Sequence, residues 1–334
     1  MEYNIKITYN NSLKKDVDIL LNYLKEVGFY NSLKKNKDRL DDVTYELIGD
    51  TGLILKKIPY RDSCQLSPKS KLKKCITNSC VLCDAIQNYE RIEPLSLSKA
   101  LLWKSYLIRP NDFPYLKDHL LILSSDHNHG SDGIRGTQDE LHLKKHILLD
   151  MIEFYKLMDM EGTMFFNGMA GNTQTHFHFH YVKDKLPLED FLFNSSELEF
   201  EEFTTKNKSK LFIFDSISKK KCFKGLLFVG KEKHVCKNVL KVLQKIKQKT
   251  FEYNILFIPN KDYKENVMII VFIRDNKNIK KSDPPLGASI IAGMYTRPDI
   301  DIKEARQKKI ENKIFNYCDK IVVKPNKSFF ENII

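Results

Sequence analysis

Three histidines stand at alternate positions in the run His176-Phe177-His178-Phe179-His180. In a strand, residues two apart share a face, so the imidazoles line one side while Phe177, Phe179 and Tyr181 line the other. The aromatic set can enter a core. The histidine set is hard to account for as packing, because each ring carries a donor and an acceptor that burial would have to satisfy. Imidazoles in such a row can attack an electrophile, move protons or bind a metal. Two plainer readings stand beside these: a row of satisfied or part-exposed histidines, and a ladder that only binds metal.

Two further segments could take part in chemistry. Cys80-Val81-Leu82-Cys83 puts two thiolates within reach of one metal, a spacing that needs two more ligands and that equally suits two buried free thiols at a helix N-terminus. The stretch Asn167 to Thr175, rich in small and polar residues, can bring backbone N–H groups around Asn167 and Gly171 and the hydroxyl of Thr173 against phosphates. An ordinary β-turn is its alternative. His142 and His146, four apart on an expected helix, read as a surface pair, and Lys183 and Lys185, beyond the histidine run, read as solvated surface.

The elements that must position these residues alternate strand and helix patterns. Val17, Leu20, Leu21 and Leu24 have helical spacing between Ser12 and Val27 and are followed by Gly28. Val43 to Ile48 and Leu53 to Ile58, around Gly49-Asp50-Thr51-Gly52, read as a hairpin. Strands are expected over Ala100 to Ile108 and His119 to Leu123. A capping box, Thr137-Gln138-Asp139-Glu140, opens a helix through Leu148, Ile152 and Tyr155. Met164 to Phe166 and Thr175 to Val182 read as paired strands. After an acidic patch, Glu197 to Glu202, strands are expected near Leu211 to Phe214, Leu226 to Val229, Asn254 to Ile258 and Val267 to Ile273, with helices from Lys233 to Gln248 and Asp301 to Tyr317. This second part contains only His234.

At 334 residues and 42% apolar composition the chain can build a sizeable core. No apolar run approaches the roughly 18 residues of a membrane span, and Met1 to Thr8 lacks a signal-peptide pattern, so no membrane partner and a cytoplasmic location are expected. Seven cysteines, an odd count, argue for reduced thiols or metal ligands. The net charge of +12 is spread over lysine runs without interleaved aromatics, which favours a solvated surface over a nucleic-acid face.

His-Phe-His-Phe-His-Tyr-Val resembles the signature of the histidine-triad superfamily, histidines alternating with apolar residues and closed by an apolar pair. Asn111-Asp112-Phe113 resembles the ribose-contacting turn of its larger members, and Leu123-Ser124-Ser125-Asp126-His127 the strand end that follows. Pro284-Pro285-Leu286-Gly287-Ala288-Ser289 through Ala292-Gly293 resembles their C-terminal part. The chain is similar to the branch of galactose-1-phosphate uridylyltransferases, diadenosine-tetraphosphate phosphorylases and GDP-L-galactose phosphorylases more than to the short hydrolases.

The resemblance implies an α+β fold of two histidine-triad-like halves with antiparallel sheets: an N-terminal extension over 1–75, a catalytic half over 76–200 and a half without the motif over 201–334. It implies a nucleotidyltransferase or phosphorylase acting on a nucleoside-diphosphate sugar or dinucleoside polyphosphate, with inorganic phosphate or a sugar phosphate as acceptor; a homodimer is compatible with it. His178 would be the nucleophile and His180 would bond a phosphoryl oxygen or the leaving group. Asn111 would meet the ribose hydroxyls, and His119 would line the same site or serve the fold. By the pattern of the uridylyltransferases, Cys80, Cys83, His127 and His176 would hold a structural zinc, with His129 a substitute for His127. One departure matters. His180 stands where the transferase branch carries glutamine and the short hydrolases carry histidine, so hydrolysis of a nucleotidyl conjugate stays open, and nucleotide or nucleic-acid binding without turnover is a further alternative.

Overall fold

The computed structural model describes residues 13–26, 44–48, 53–57, 82, 100–111, 114–116, 118–124, 144–171, 176–194, 196–205, 209–217, 223–259, 265–275, 277, 286–297, 310–326 and 329–330. Their first part runs α1 (Leu13–Glu26), β1 (Thr44–Ile48), β2 (Leu53–Lys57), β3 (Leu101–Trp103), β4 (Tyr106–Pro110), β5 (Leu120–Ser124), α2 (Lys145–Leu157), β6 (Thr163–Phe166), the single turn α3 (Gly168–Gly171) and β7 (His178–Val182). The remainder runs α4 (Pro187–Asn194), β8 (Leu198–Thr204), β9 (Lys210–Ser216), β10 (Lys224–Gly230), α5 (Glu232–Gln248), β11 (Glu252–Ile258), β12 (Val267–Arg274), α6 (Ala288–Ile291), β13 (Met294–Arg297), α7 (Ile310–Ile321) and β14 (Val322–Val323). No helix among the described residues is long and apolar enough to cross a membrane.

One 11-stranded sheet dominates, in the order β3-β4-β5-β7-β6-β11-β12-β10-β9-β8 with β14 joined to β12. Its neighbours pair antiparallel. The order is a five-strand pattern used twice: β3-β4-β5-β7-β6 meets β8-β9-β10-β12-β11 at the β6–β11 pair, and α2 and α5 occupy the same place in each run. A small sheet, β1-β2-β13, completes the fold; β1 and β2 form the expected hairpin, and β13 runs parallel to β2.

Packing separates the two faces of the large sheet. Ile108, Ile122, Phe179 and Tyr181 face a core built with α1, α2 and α5 through Leu20, Leu24, Met151, Ile152, Val239 and Leu243. On the opposite face, Phe165, Leu256, Ile270 and Phe272 pack under Leu53, Leu55, Met294 and α7. Burying one such aromatic or aliphatic side chain contributes roughly 1.5–3 kcal/mol. A one-residue slip of β7 would exchange its phenylalanines for histidines in the first core, so this packing fixes the register.

The sequence-based expectations hold for most elements and fail at particular places. The strand expected over Ala100 to Ile108 is a hairpin, β3 and β4, closed at Trp103 and Tyr106, with Lys104 turning through the left-handed region at φ 51°. Its apolar residues are interrupted only by Lys104-Ser105, and that polar pair is the turn. The acidic patch is edge strand β8, with Leu198 and Phe203 buried and Glu199, Glu201 and Glu202 exposed. Charges on an edge strand hinder further pairing. The capping box at Thr137 lies outside the described residues; the described helix starts at Lys145 without a side-chain cap.

Helix α4 connects the histidine strand to the second run. Pro187 occupies its first position, and Glu189 reaches back to the Leu186 N–H at 3.0 Å, a capping arrangement. Glu189 is fully buried, its Oε1 accepts from the Thr163 hydroxyl on β6, and Oε2 has no partner among the described residues. Burial pushes its carboxyl up to about 7, with the bonds from Thr163 and Leu186 opposing. Between the unfolded value near 4.5 and about 7 the folded chain therefore holds the extra proton, and stability declines as pH rises through that window. Glu189→Gln, which cannot ionise, is expected to lose less stability than the parent between pH 5 and 8 in thermal unfolding; equal losses would rule out a buried carboxyl without compensation.

Candidate active site

Strand β7 lies between β5 and β6, with His178 opposite Leu123 and His180 opposite Leu121 on one side and Phe165 on the other. His176 precedes the strand, and the ladder continues beside it through the Ser124 N–H and the Phe177 carbonyl, 3.3 Å apart. All three rings are buried. This excludes a part-exposed row and makes the hydrogen bonds of each ring decisive.

His178 Nδ1 lies 2.7 Å from the backbone carbonyl of His176. A carbonyl can only accept, so Nδ1 carries the proton and Nε2 the lone pair. Burial lowers the His178 pKa to about 4; the bond to the His176 carbonyl opposes this. The ring is therefore neutral near pH 7, the form required of a nitrogen nucleophile.

The protonation of His180 follows from its neighbours. The Ala288 N–H donates to Asn167 Oδ1 at 2.8 Å, which turns the amide nitrogen of Asn167 toward His180 Nε2, 3.2 Å away. His180 Nε2 accepts, so its proton resides on Nδ1 and is donated to His119 Nε2 at 2.9 Å. Asn111 Nδ2 lies 3.2 Å from the same His119 nitrogen, and the Asn111 N–H donates to the His119 carbonyl at 2.9 Å. Phe165 stacks on His180 with ring centroids 4.6 Å apart and planes 9° apart. The structure thus brings Asn111, His119, Asn167, His178 and His180 together.

The second run of the sheet supplies the rest of this row. Asn254 on β11 donates to the Asn167 carbonyl at 2.5 Å, and Arg274 Nη1 on β12 donates to Asn254 Oδ1 at 3.2 Å and to the Leu286 carbonyl. Arg274 is fully buried, which lowers its pKa to about 10. Gly171 fits here for want of a side chain: a Cβ would lie 2.3 Å from the Leu286 carbonyl oxygen and 2.9 Å from Arg274 Nη1. Arg109, buried on β4, stands opposite Leu121, which itself stands opposite His180. Sequence reading missed Asn254, Arg274 and Arg109. The available signal was a polar residue within, or ending, an otherwise apolar strand.

Thr173, Cys80, Cys83 and His127 lie outside the described residues, as do His129 and His142. Among the described residues no group of three or more His, Cys, Asp or Glu side chains is placed to hold a metal ion. His176 fits the ligand role in one respect: its Nε2 donates to the Ser124 carbonyl at 3.2 Å, the backbone contact that usually orients a metal-bound imidazole. Lys183 pairs with Asp18 at 2.7 Å and Lys185 with Asp190, and His146 is exposed, as expected of surface residues.

Fold and site together define a mixed helix-and-sheet protein with a buried histidine row on a long antiparallel sheet. Solved structures share that fold. Yeast Ap4A phosphorylase Apa2 matches with a TM-score of 0.59 and 14% identity over 97% of this chain and 99% of its own. Apa2 in complex with Ap4A gives 0.59 and 14% over 94% and 99%. Apa2 in complex with AMP gives 0.55 and 16% over 94% and 95%. At such identities the likeness establishes the fold. No protein-family model and no curated protein sequence matches the chain.

The neutral state of His178 has a consequence for stability. Between about 4 and 6.5 the unfolded chain takes up a proton that the buried ring refuses, so stability falls as pH drops through this window. His178→Gln is expected to lose less stability than the parent between pH 6.5 and 4.5, measured by denaturant unfolding. Parallel curves would show that the ring is not held neutral.

Proposed function

We propose that the chain is a nucleotidyl-transferring enzyme acting through a covalent nucleotidyl–histidine at His178. The observation that carries this reading is the clamp of His178 Nδ1–H on the His176 carbonyl, which keeps the lone pair on Nε2 within a buried row of polar groups. In the first step Nε2 attacks the α-phosphorus and the bond to the leaving oxygen breaks. In the second, an acceptor oxygen attacks the same phosphorus and releases His178, so one difficult displacement becomes two easier ones. His180 stands next along the strand, near the leaving group, while Asn111 and the segment containing Asn167, Gly171 and Thr173 would hold ribose and phosphates.

The substrate class is a dinucleoside polyphosphate or a nucleoside-diphosphate sugar, with inorganic phosphate or a sugar phosphate as acceptor. The fold shared with an Ap4A phosphorylase supports the first of these. The repeated strand order supports two histidine-triad-like halves, with Met268 and Ile270 on the face of β12 where β7 carries its histidines. A second reading, hydrolysis of a nucleotidyl conjugate, is favoured by one feature: histidine at 180 in place of the glutamine of the transferases.

Substrate labelled at the α-phosphate is expected to label the protein through a phosphorus–nitrogen bond, stable to base and labile to acid. His178→Ala should abolish labelling and reduce turnover by many orders of magnitude while the chain stays folded. Turnover that requires added phosphate or sugar phosphate supports transfer, and turnover in its absence supports hydrolysis. Full activity in His178→Ala, or label on another residue, would overturn the mechanism.

A structural zinc on Cys80, Cys83, His127 and His176 is part of the same proposal. A closed shell of this kind braces the strand and leaves no open position for water. The purified protein is expected to contain about one zinc per chain. Elemental analysis of Cys80→Ser/Cys83→Ser tests the ligand set; unchanged metal content would exclude it.

A further inference from the structure

We infer that Arg274 is a positioning residue for the histidine row: a single nitrogen, Nη1, sets the orientation of Asn167 by two routes and through it the tautomer of His180. This rests on the reading of His178 and His180 as members of the reacting site.

The first route runs through the sheet. A guanidinium can only donate, so Asn254 presents Oδ1 to Nη1 at 3.2 Å and must turn Nδ2 away, where it donates to the Asn167 carbonyl at 2.5 Å. The second runs through the segment before α6. Nη1 also donates to the Leu286 carbonyl, and two residues later the Ala288 N–H holds Asn167 Oδ1 at 2.8 Å. Both routes end on Asn167, one on its backbone and one on its side chain. With that amide fixed, Asn167 Nδ2 faces His180 Nε2 and the His180 proton is directed to His119.

The burial of Arg274 supports this assignment. It is fully inaccessible, yet its Nε and Nη2 have no partner among the described residues. Its neighbours on the same face of β12 are the apolar Met268, Ile270 and Phe272. An apolar side chain there would avoid the cost of desolvating a guanidinium, so stability alone does not account for an arginine. Gly171 adds a constraint, since it leaves room for Nη1 where a Cβ would stand at 2.9 Å.

The test reads His180 directly. In protein labelled with ¹⁵N-histidine, the His180 ring signals, identified by their loss in His180→Gln, should report protonated Nδ1 and bare Nε2. Arg274→Met should convert them to a mixture of tautomers. It should also lower kcat for nucleotidyl transfer by roughly 10- to 100-fold with KM changed only a few-fold, the scale expected when reacting groups are displaced by about 1 Å. Asn254→Leu, which breaks the first route alone, should produce a smaller change of the same kind. The double variant should cost no more than Arg274→Met, since both act on one network. A thermal midpoint that falls in Arg274→Met while the His180 signals stay unchanged would overturn the proposal and leave a structural arginine. If Arg274→Met does not fold, the His180 signals of Asn254→Leu decide the matter. The ring signals need no substrate, so a chain that transfers no nucleotide would still give a clear answer here.

Discussion

The structure depends on the two-sidedness of β7. A strand must show alternate residues to opposite faces, and the aromatic set of this one is buried against α1, α2 and α5. Once Phe177, Phe179 and Tyr181 are buried there, His176, His178 and His180 have no freedom but to share the other face. That face is also closed, by Leu107, Leu121 and Leu123 on one flank and by Phe165 and the core beyond it on the other. Three imidazoles enclosed in this way must each find a hydrogen-bond partner or cost more than the fold can absorb.

The partners found give the site its chemical character. His176 and His178 direct N–H groups to backbone carbonyls, and His180 lies between an asparagine amide and a second imidazole. At His178 burial disfavours the charged imidazolium, so that ring is held neutral with a defined lone pair. Defined lone pairs are what a nitrogen nucleophile needs. The second run of strands contributes no histidine to this face, but it orients the groups that orient His180.

Where sequence reading went astray, the causes are physical and local. The hairpin at Lys104 was hidden because its turn is only the pair Lys104-Ser105, without the Gly or Asn that usually marks a reversal, and Lys104 itself takes the left-handed region. The acidic patch, Glu197 to Glu202, runs into edge strand β8, which buries only Leu198 and Phe203 and so lacks the apolar run that marks the inner strands. Helices α1 and α5 were legible to within a residue or two of each end, since their stripes of buried Val and Leu repeat with helical period.

By itself the sequence determined which side chains of β7 share a face, that the row is histidine and that Asn167 opens a polar segment leading into it, while Asn111 and His119 were set beside it only by the family resemblance. Alternation and composition are local properties, and short-range order suffices to read them. Only the tertiary structure decided that these residues meet, that the His178 ring is neutral and which donors and acceptors face the ring nitrogens. Those facts depend on the β6–β11 pairing, which brings Asn254 against Asn167 across 87 residues of chain with Arg274 behind it, and on burial that no residue's own neighbourhood reveals. A hydrogen bond is a relation between a donor and an acceptor at one place, and in this site the two members come from distant parts of the chain.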